Sequence, residues 1–146
     1  MKYNIIIITG LLVLLSSCKV CRESTIATKH FETEFDCPDT KHTLDVDITD
    51  NAILIQTKAD YDNLVSGPCH PDINFDSYSL LIGKQSTVNE VDTIYYNYGI
   101  SCPDNELTLT IDIIQGVAAV PDNVVYHALL PRQADGGTIA ININVR

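Results

Sequence analysis

Tryptophan is absent from this chain, methionine occurs once, and only 9 of its 146 residues are Lys or Arg. Against 19 Asp and Glu, the net charge is −10. That balance excludes nucleic acid as an expected partner, because affinity there comes mainly from cations that neutralise phosphates. Charged residues of both signs amount to 19%, while 45% of the chain is hydrophobic, the reverse of a disordered composition. The Ala-, Glu-, Lys- and Leu-rich usage of a coiled coil is missing too. No internal repeat or low-complexity segment is present, and the length fits one domain.

Recognisable catalytic machinery is also lacking. There is no Gly-x-Ser-x-Gly elbow, no His-Glu-x-x-His and no glycine-rich phosphate loop ahead of a helix. Asp45-Val46-Asp47-Ile48-Thr49-Asp50 begins like a calcium loop, but Asp50 and Gln56 stand where such a loop needs Gly and Glu. The histidines are His30, His42, His70 and His127. None has zinc-ligand spacing to the cysteines. His127, in Tyr126-His127-Ala128-Leu129-Leu130, is the candidate base of most interest, yet a histidine on a strand is usually a packed or surface residue. The expectation is therefore no enzyme, no metal and no cofactor.

What is present begins at the N-terminus. Met1-Lys2 is followed by an apolar run from Ile5 to Leu15, broken only by Thr9 and Gly10, and then by Leu15-Ser16-Ser17-Cys18. A basic start, an apolar stretch too short to span a bilayer and small residues at its end read as a secretory signal. Leu15-Ser16-Ser17-Cys18 resembles the lipobox of bacterial lipoproteins. The resemblance implies removal of residues 1–17, acylation of Cys18 and a membrane contact through that anchor. Lys19, rather than Asp, follows the cysteine, which resembles lipoproteins sent to the outer membrane. The periplasmic face is the expected location, with the cell surface as the alternative. Residues 18–40 then read as anchor, tether and an irregular segment or added strand, and 41–146 as a single β-rich domain.

Lipidation at Cys18 leaves Cys21, Cys37, Cys69 and Cys102, an even number in an oxidising compartment and so two disulfides. Three connectivities are open. The favoured one joins Cys69 to Cys102, both in Pro- and Gly-flanked loops, and Cys21 to Cys37, which are near in sequence.

The rest of the chain alternates with period two. Lys41–Thr49 places Leu44, Val46 and Ile48 on one face; Leu107–Ile114 does the same with Leu107, Leu109, Ile111 and Ile113. Further strands are expected at 52–56, 78–83, 89–98, 123–130 and 138–145, the last with Ile139, Ile141, Ile143 and Val145 inward. Thr57 caps the one expected helix, whose Tyr61, Leu64 and Val65 share a face. Short connections favour antiparallel neighbours. The predicted fold is mostly β: an antiparallel sandwich or strongly curled sheet of about seven strands, with one short helix over one end.

Tyr95-Tyr96-Asn97-Tyr98 supplies the candidate binding residues Tyr95, Tyr96 and Tyr98. Neighbouring strand residues face opposite ways, so at least one ring points outward. Exposed tyrosine offers apolar area with a polar tip.

Two segments carry a family resemblance. Asp72-Ile73-Asn74-Phe75-Asp76-Ser77-Tyr78-Ser79-Leu80-Leu81-Ile82-Gly83-Lys84 and Val124-Val125-Tyr126-His127-Ala128-Leu129-Leu130-Pro131-Arg132 are similar to stretches of small lipoproteins, many from Bacteroidetes, related to the C-terminal domain of protease-stabilising accessory proteins. A Gly-Gly-Tyr stretch of that family is replaced here by Gln85-Ser86-Thr87-Val88-Asn89. The resemblance implies a β-rich domain that docks on an envelope protein. With the missing catalytic motifs it gives the functional expectation: a non-catalytic binding or accessory module for another envelope protein. The alternative is a surface lipoprotein that binds glycan or a host ligand.

Overall fold

Alternation in the second half of the chain becomes five long strands. The computed structural model describes residues 22–49, 51–102, 106–132 and 138–146. In chain order these form β1 (Ser24–Ile26), α1 (Phe31–Glu34), α2 (Thr40–Thr43), β2 (Asp45–Val46), β3 (Ala52–Ile55), α3 (Lys58–Leu64), β4 (Val65–Ser66), β5 (Tyr78–Thr87), β6 (Val91–Ser101), β7 (Glu106–Gln115), β8 (Asp122–Pro131) and β9 (Ile139–Val145). The mostly β class is as the sequence predicts, with nine described strands in three sheets.

The front sheet has the order β1-β6-β7-β9 and the middle sheet β3-β5-β8. Leu109, Ile111 and Ile113 of β7 and Tyr98 of β6 pack against Leu81, Val124, Tyr126, Ala128 and Leu130 of the middle sheet. The back of the middle sheet is covered as well. Leu80, Ile82, Val125 and Leu129 meet Phe31, Leu44, Val46, Tyr61, Val65, Ile73 and Phe75 from the helices and their connections. The helical layer thus lies over a sheet face rather than over one end of the sandwich. A strand covered on both sides needs no polar face, which is why Val124 to Leu130 are all buried. A small third sheet pairs β2 with β4.

The helix at α3 is as expected, and the Thr57 hydroxyl accepts from the Asp60 backbone N–H at its start. Two departures concern strands. Thr40–Thr43 is helical and only Asp45–Val46 pairs, so the strand read over 41–49 shrinks to two residues. Leu44 and Val46 are buried all the same. β9 runs parallel to β7, with Leu107 opposite Ile139 and Ile113 opposite Val145. The crossover that a parallel pair requires is supplied by the chain through β8, in the other sheet. β1 adds to the edge of β6 with Ser24 opposite Ile100.

The disulfide expectation is corrected. Cys37 is bonded to Cys69, with Cα atoms 5.7 Å apart, so neither Cys69–Cys102 nor Cys21–Cys37 forms. Cys37 and Cys69 both face the back core, whereas the chain just after Cys21 runs along β6 in the front sheet. Nearness in sequence does not survive that divergence. Cys102 is itself disulfide-bonded. Cys18 and Cys21 lie outside the described residues.

Candidate functional site

The segment from Thr28 to Thr43 crosses behind the ends of β6 and β8 and leaves a cleft of about 470 Å³. Its lining includes His30, Glu32, Lys41, Tyr95, Tyr96 and His127. Four interactions build its wall. Lys29 and Leu129 exchange backbone hydrogen bonds of 3.3 and 2.8 Å. The Phe31 N–H donates to His127 Nε2 at 3.1 Å. The His30 ring lies on the Tyr96 ring with centroids 4.4 Å apart. Lys41 Nζ donates to the carbonyl oxygens of Val91 and Asp92 at 2.5 and 3.2 Å.

His127 sits with its side chain 3% exposed. Because Nε2 accepts from Phe31, the proton of the neutral ring is on Nδ1. Nδ1 is buried and has no partner among the described residues. The His127 backbone N–H donates to Tyr96 Oη at 3.0 Å. Burial raises the Tyr96 phenol well above its ordinary pKa, which keeps it neutral. Burial lowers the His30 pKa, so that ring too is neutral at pH 7. Glu32 lies 3.4 Å from His127 Nε2 and accepts from the Thr40 hydroxyl. Burial works against its charge, but hydrogen bonding that includes its own backbone N–H outweighs it and holds the carboxyl below its usual value.

These contacts occupy two of the cleft's candidate groups. A general base needs a free lone pair within reach of substrate. The His127 acceptor nitrogen is already occupied by a backbone N–H, and Lys41 is held by two carbonyls. His127 and Lys41 thus fasten the cleft wall, while the Glu32 side chain is 42% exposed. At the rim Tyr95 is 61% exposed. Among the described residues no group of three His, Cys, Asp or Glu side chains is placed to hold a metal ion.

Of the three candidate tyrosines, only Tyr95 stands on the surface. Tyr98 is fully buried opposite Leu109, and Tyr96 turns inward to His127. Tyr98 is therefore a core residue, which corrects its place among the binding candidates, while Tyr96 is half-buried in the cleft wall and Tyr95 is the ring that points outward. His70 is outside the cleft, stacked on Tyr61 with centroids 4.2 Å apart. Sequence reading misses Glu32 and Lys41 altogether and weighs His30 only as a metal ligand beside the cysteines. The only signal was Phe31 and Phe35, four residues apart in an otherwise polar stretch, which marks a helical turn with an apolar side.

α2 is strapped to the sandwich by His42, whose Nδ1 is 2.9 Å from Asp39 and whose Nε2 is 3.1 Å from Asp122. Burial disfavours its charge, but the two carboxylates prevail and raise its pKa above 6.5. Asp122 responds in the opposite sense. Burial opposes its ionisation, yet His42 and the Val91 N–H lower its pKa below 3.8. Stability from a raised histidine is complete below its unfolded pKa and fades as pH rises through the folded one; for a lowered carboxylate it fades as pH falls. The strap is thus strongest in mildly acidic solution. The melting-temperature gap between wild type and His42→Asn is expected to be wider at about pH 5.5 than at about pH 8.5. An equal gap at both would show that the charge of His42 plays no part.

No family model matches the chain, and no curated protein or solved structure matches it either.

Proposed function

We propose that this protein is an envelope lipoprotein, anchored through acyl chains on Cys18, that works by binding another envelope protein and performs no chemistry of its own. One observation carries the binding reading: His127 and Lys41 are engaged in fastening the cleft wall, while Tyr95 stands exposed at its rim. A surface that is fixed internally and presents an aromatic ring suits recognition, since tyrosine at the centre of an interface contributes strongly to affinity. The anchor reading is supported by Leu15-Ser16-Ser17-Cys18 and by cysteine chemistry. With Cys37 joined to Cys69 and Cys102 bonded, one cysteine of the five is left over, as a lipidated residue requires.

The glycan reading is the second one, favoured by the outer face of the front sheet. Tyr95 lies there beside Asp112, which accepts from Asn144 at 2.9 Å and pairs with Arg146 at 2.6 Å. An aromatic ring next to a carboxylate and an amide is suited to sugar hydroxyls.

Crosslinking of the tagged chain in intact envelopes, followed by mass spectrometry, tests both. The expected result is one dominant protein partner, lost in Tyr95→Ala, together with an acylated N-terminal peptide at Cys18. Recovery of the chain alone would remove the protein-docking reading, and retention on a glycan array that depends on Tyr95 would establish the second. A Cys18–Cys102 bridge in the peptide map would exclude the anchor.

A further inference from the structure

The edges of the two main sheets are treated unequally. Open strand edges invite pairing with other chains, and proteins blunt them by shortness, charge, proline or cover. β1 is three residues long and preceded by Arg22 and Glu23. β3 is four residues long. The free side of β8 is covered at Leu129 by its hydrogen bonds with Lys29. Among the described residues β9 has no cover and no proline, and its flanking charge comes only at Arg146, directly after Val145. It is seven residues, Ile139-Ala140-Ile141-Asn142-Ile143-Asn144-Val145, without charge, proline or glycine. It ends the front sheet, and Ile141 and Val145 are 38% and 41% exposed.

The parity of its backbone says what fits there. Arg146 donates to the Ile113 carbonyl at 3.0 Å and accepts from the Gln115 N–H at 2.7 Å. In a parallel pair, alternate residues of a strand bond to one neighbour, so the even-numbered residues of β9 face β7. Ile139, Ile141, Ile143 and Val145 then direct their N–H and C=O groups outward. We propose that β9 pairs with β9 of a second copy of this chain, antiparallel, about a two-fold axis at Asn142. That register sets Ile139 against the partner's Val145 and Ile141 against the partner's Ile143. Ala140 meets the partner's Asn144, and Asn142 meets the partner's Asn142. Every isoleucine and valine faces another, and every outward-directed pair is one that exchanges both hydrogen bonds. By alternation the side chains of Ile141 and Val145 share the face of Ile139 and Ile143, and the pairing sets them against the partner's Ile143 and the partner's Ile139. An unrelated extended segment would pair its backbone with β9 but would not reproduce this matching. The contact is isologous, and so it closes at two copies. With a charge of −10 on each chain, association strengthens as salt screens the repulsion.

The test uses the full chain purified in detergent. Wild type is expected to show twice the protomer mass by light scattering, and Ile141→Lys, which puts a charge against the partner's Ile143, is expected to halve it. Asn142→Cys is expected to give a disulfide-linked dimer on mild oxidation, because opposed Cα atoms of a non-hydrogen-bonded antiparallel pair lie about 4.5 Å apart. Asn144→Cys is expected to stay unlinked, its counterpart lying about 13 Å further along the partner strand. A monomeric wild type, an Ile141→Lys variant that keeps the doubled mass, or linkage at 144 in place of 142 would each overturn the proposal. None of these results depends on Tyr95, so this inference and the binding reading stand or fall separately.

Discussion

Replacing Cys37 and Cys69 together by serine is expected to cost about 4 kcal/mol of stability. The bridge closes a loop with a sequence separation of 32. In the chain-entropy account, a loop of that length removes roughly 12 cal/mol/K from the unfolded ensemble, or about 4 kcal/mol at 25 °C. Both residues belong to the back core, with Cys37 1% exposed, so serine hydroxyls placed there add a desolvation cost rather than offsetting the loss. The structural consequence is local. The bridge ties the end of the cleft wall to the chain beyond β4, and the wall is otherwise held by a few bonds: Phe31 to His127, Lys41 to Val91 and Asp92, and His42 to Asp122. Urea unfolding under non-reducing conditions checks the number. Amide exchange across 31–43 is expected to accelerate more than exchange in β5 or β8. A loss under about 1 kcal/mol would show that the unfolded chain already holds these two segments together.

The contrast between strands and site explains what the sequence makes legible. Period-two alternation reports which side chains are buried, and Leu107, Leu109, Ile111 and Ile113 do line the inner face of β7. It does not report whether a partner strand exists. Leu44 and Val46 are buried as their alternation requires, but β4 offers only two residues to pair with, so most of the expected strand has another conformation. Nor does alternation report direction, and the parallel course of β9 beside β7 has the same pattern as an antiparallel one. Thr57 was readable because capping is local, its hydroxyl reaching a backbone N–H three residues on. The cleft was not, because every bond that shapes it is distant in sequence. Phe31 meets His127 across 96 positions and Lys41 meets Val91 across 50. His127 was noticed for its type, while the backbone N–H that occupies it could not be.

Tyr98→Ala is expected to cost about 3–5 kcal/mol, the range for removing a large buried ring and leaving part of its volume empty. Tyr95→Ala, three residues away on the same strand, is expected to change stability by no more than about 0.5 kcal/mol. The two differ because strand faces alternate and the neighbours of β6 decide which face is inside. Tyr98 stands opposite Leu109, which is itself fully buried, and Tyr95 stands opposite Asp112. Sequence puts Tyr95 on one face and Tyr96 and Tyr98 on the other without saying which is wet, and only the apolar row of β7 fixes the phase. Denaturant unfolding of both variants checks the assignment; equal losses, or the larger loss at Tyr95, would reverse the faces of β6. The comparison also governs how binding data are read. Loss of a partner in Tyr98→Ala would reflect a damaged core, because the ring fills the space between the sheets. Loss in Tyr95→Ala, with unfolding unchanged, is the result that places the partner on the rim of the cleft.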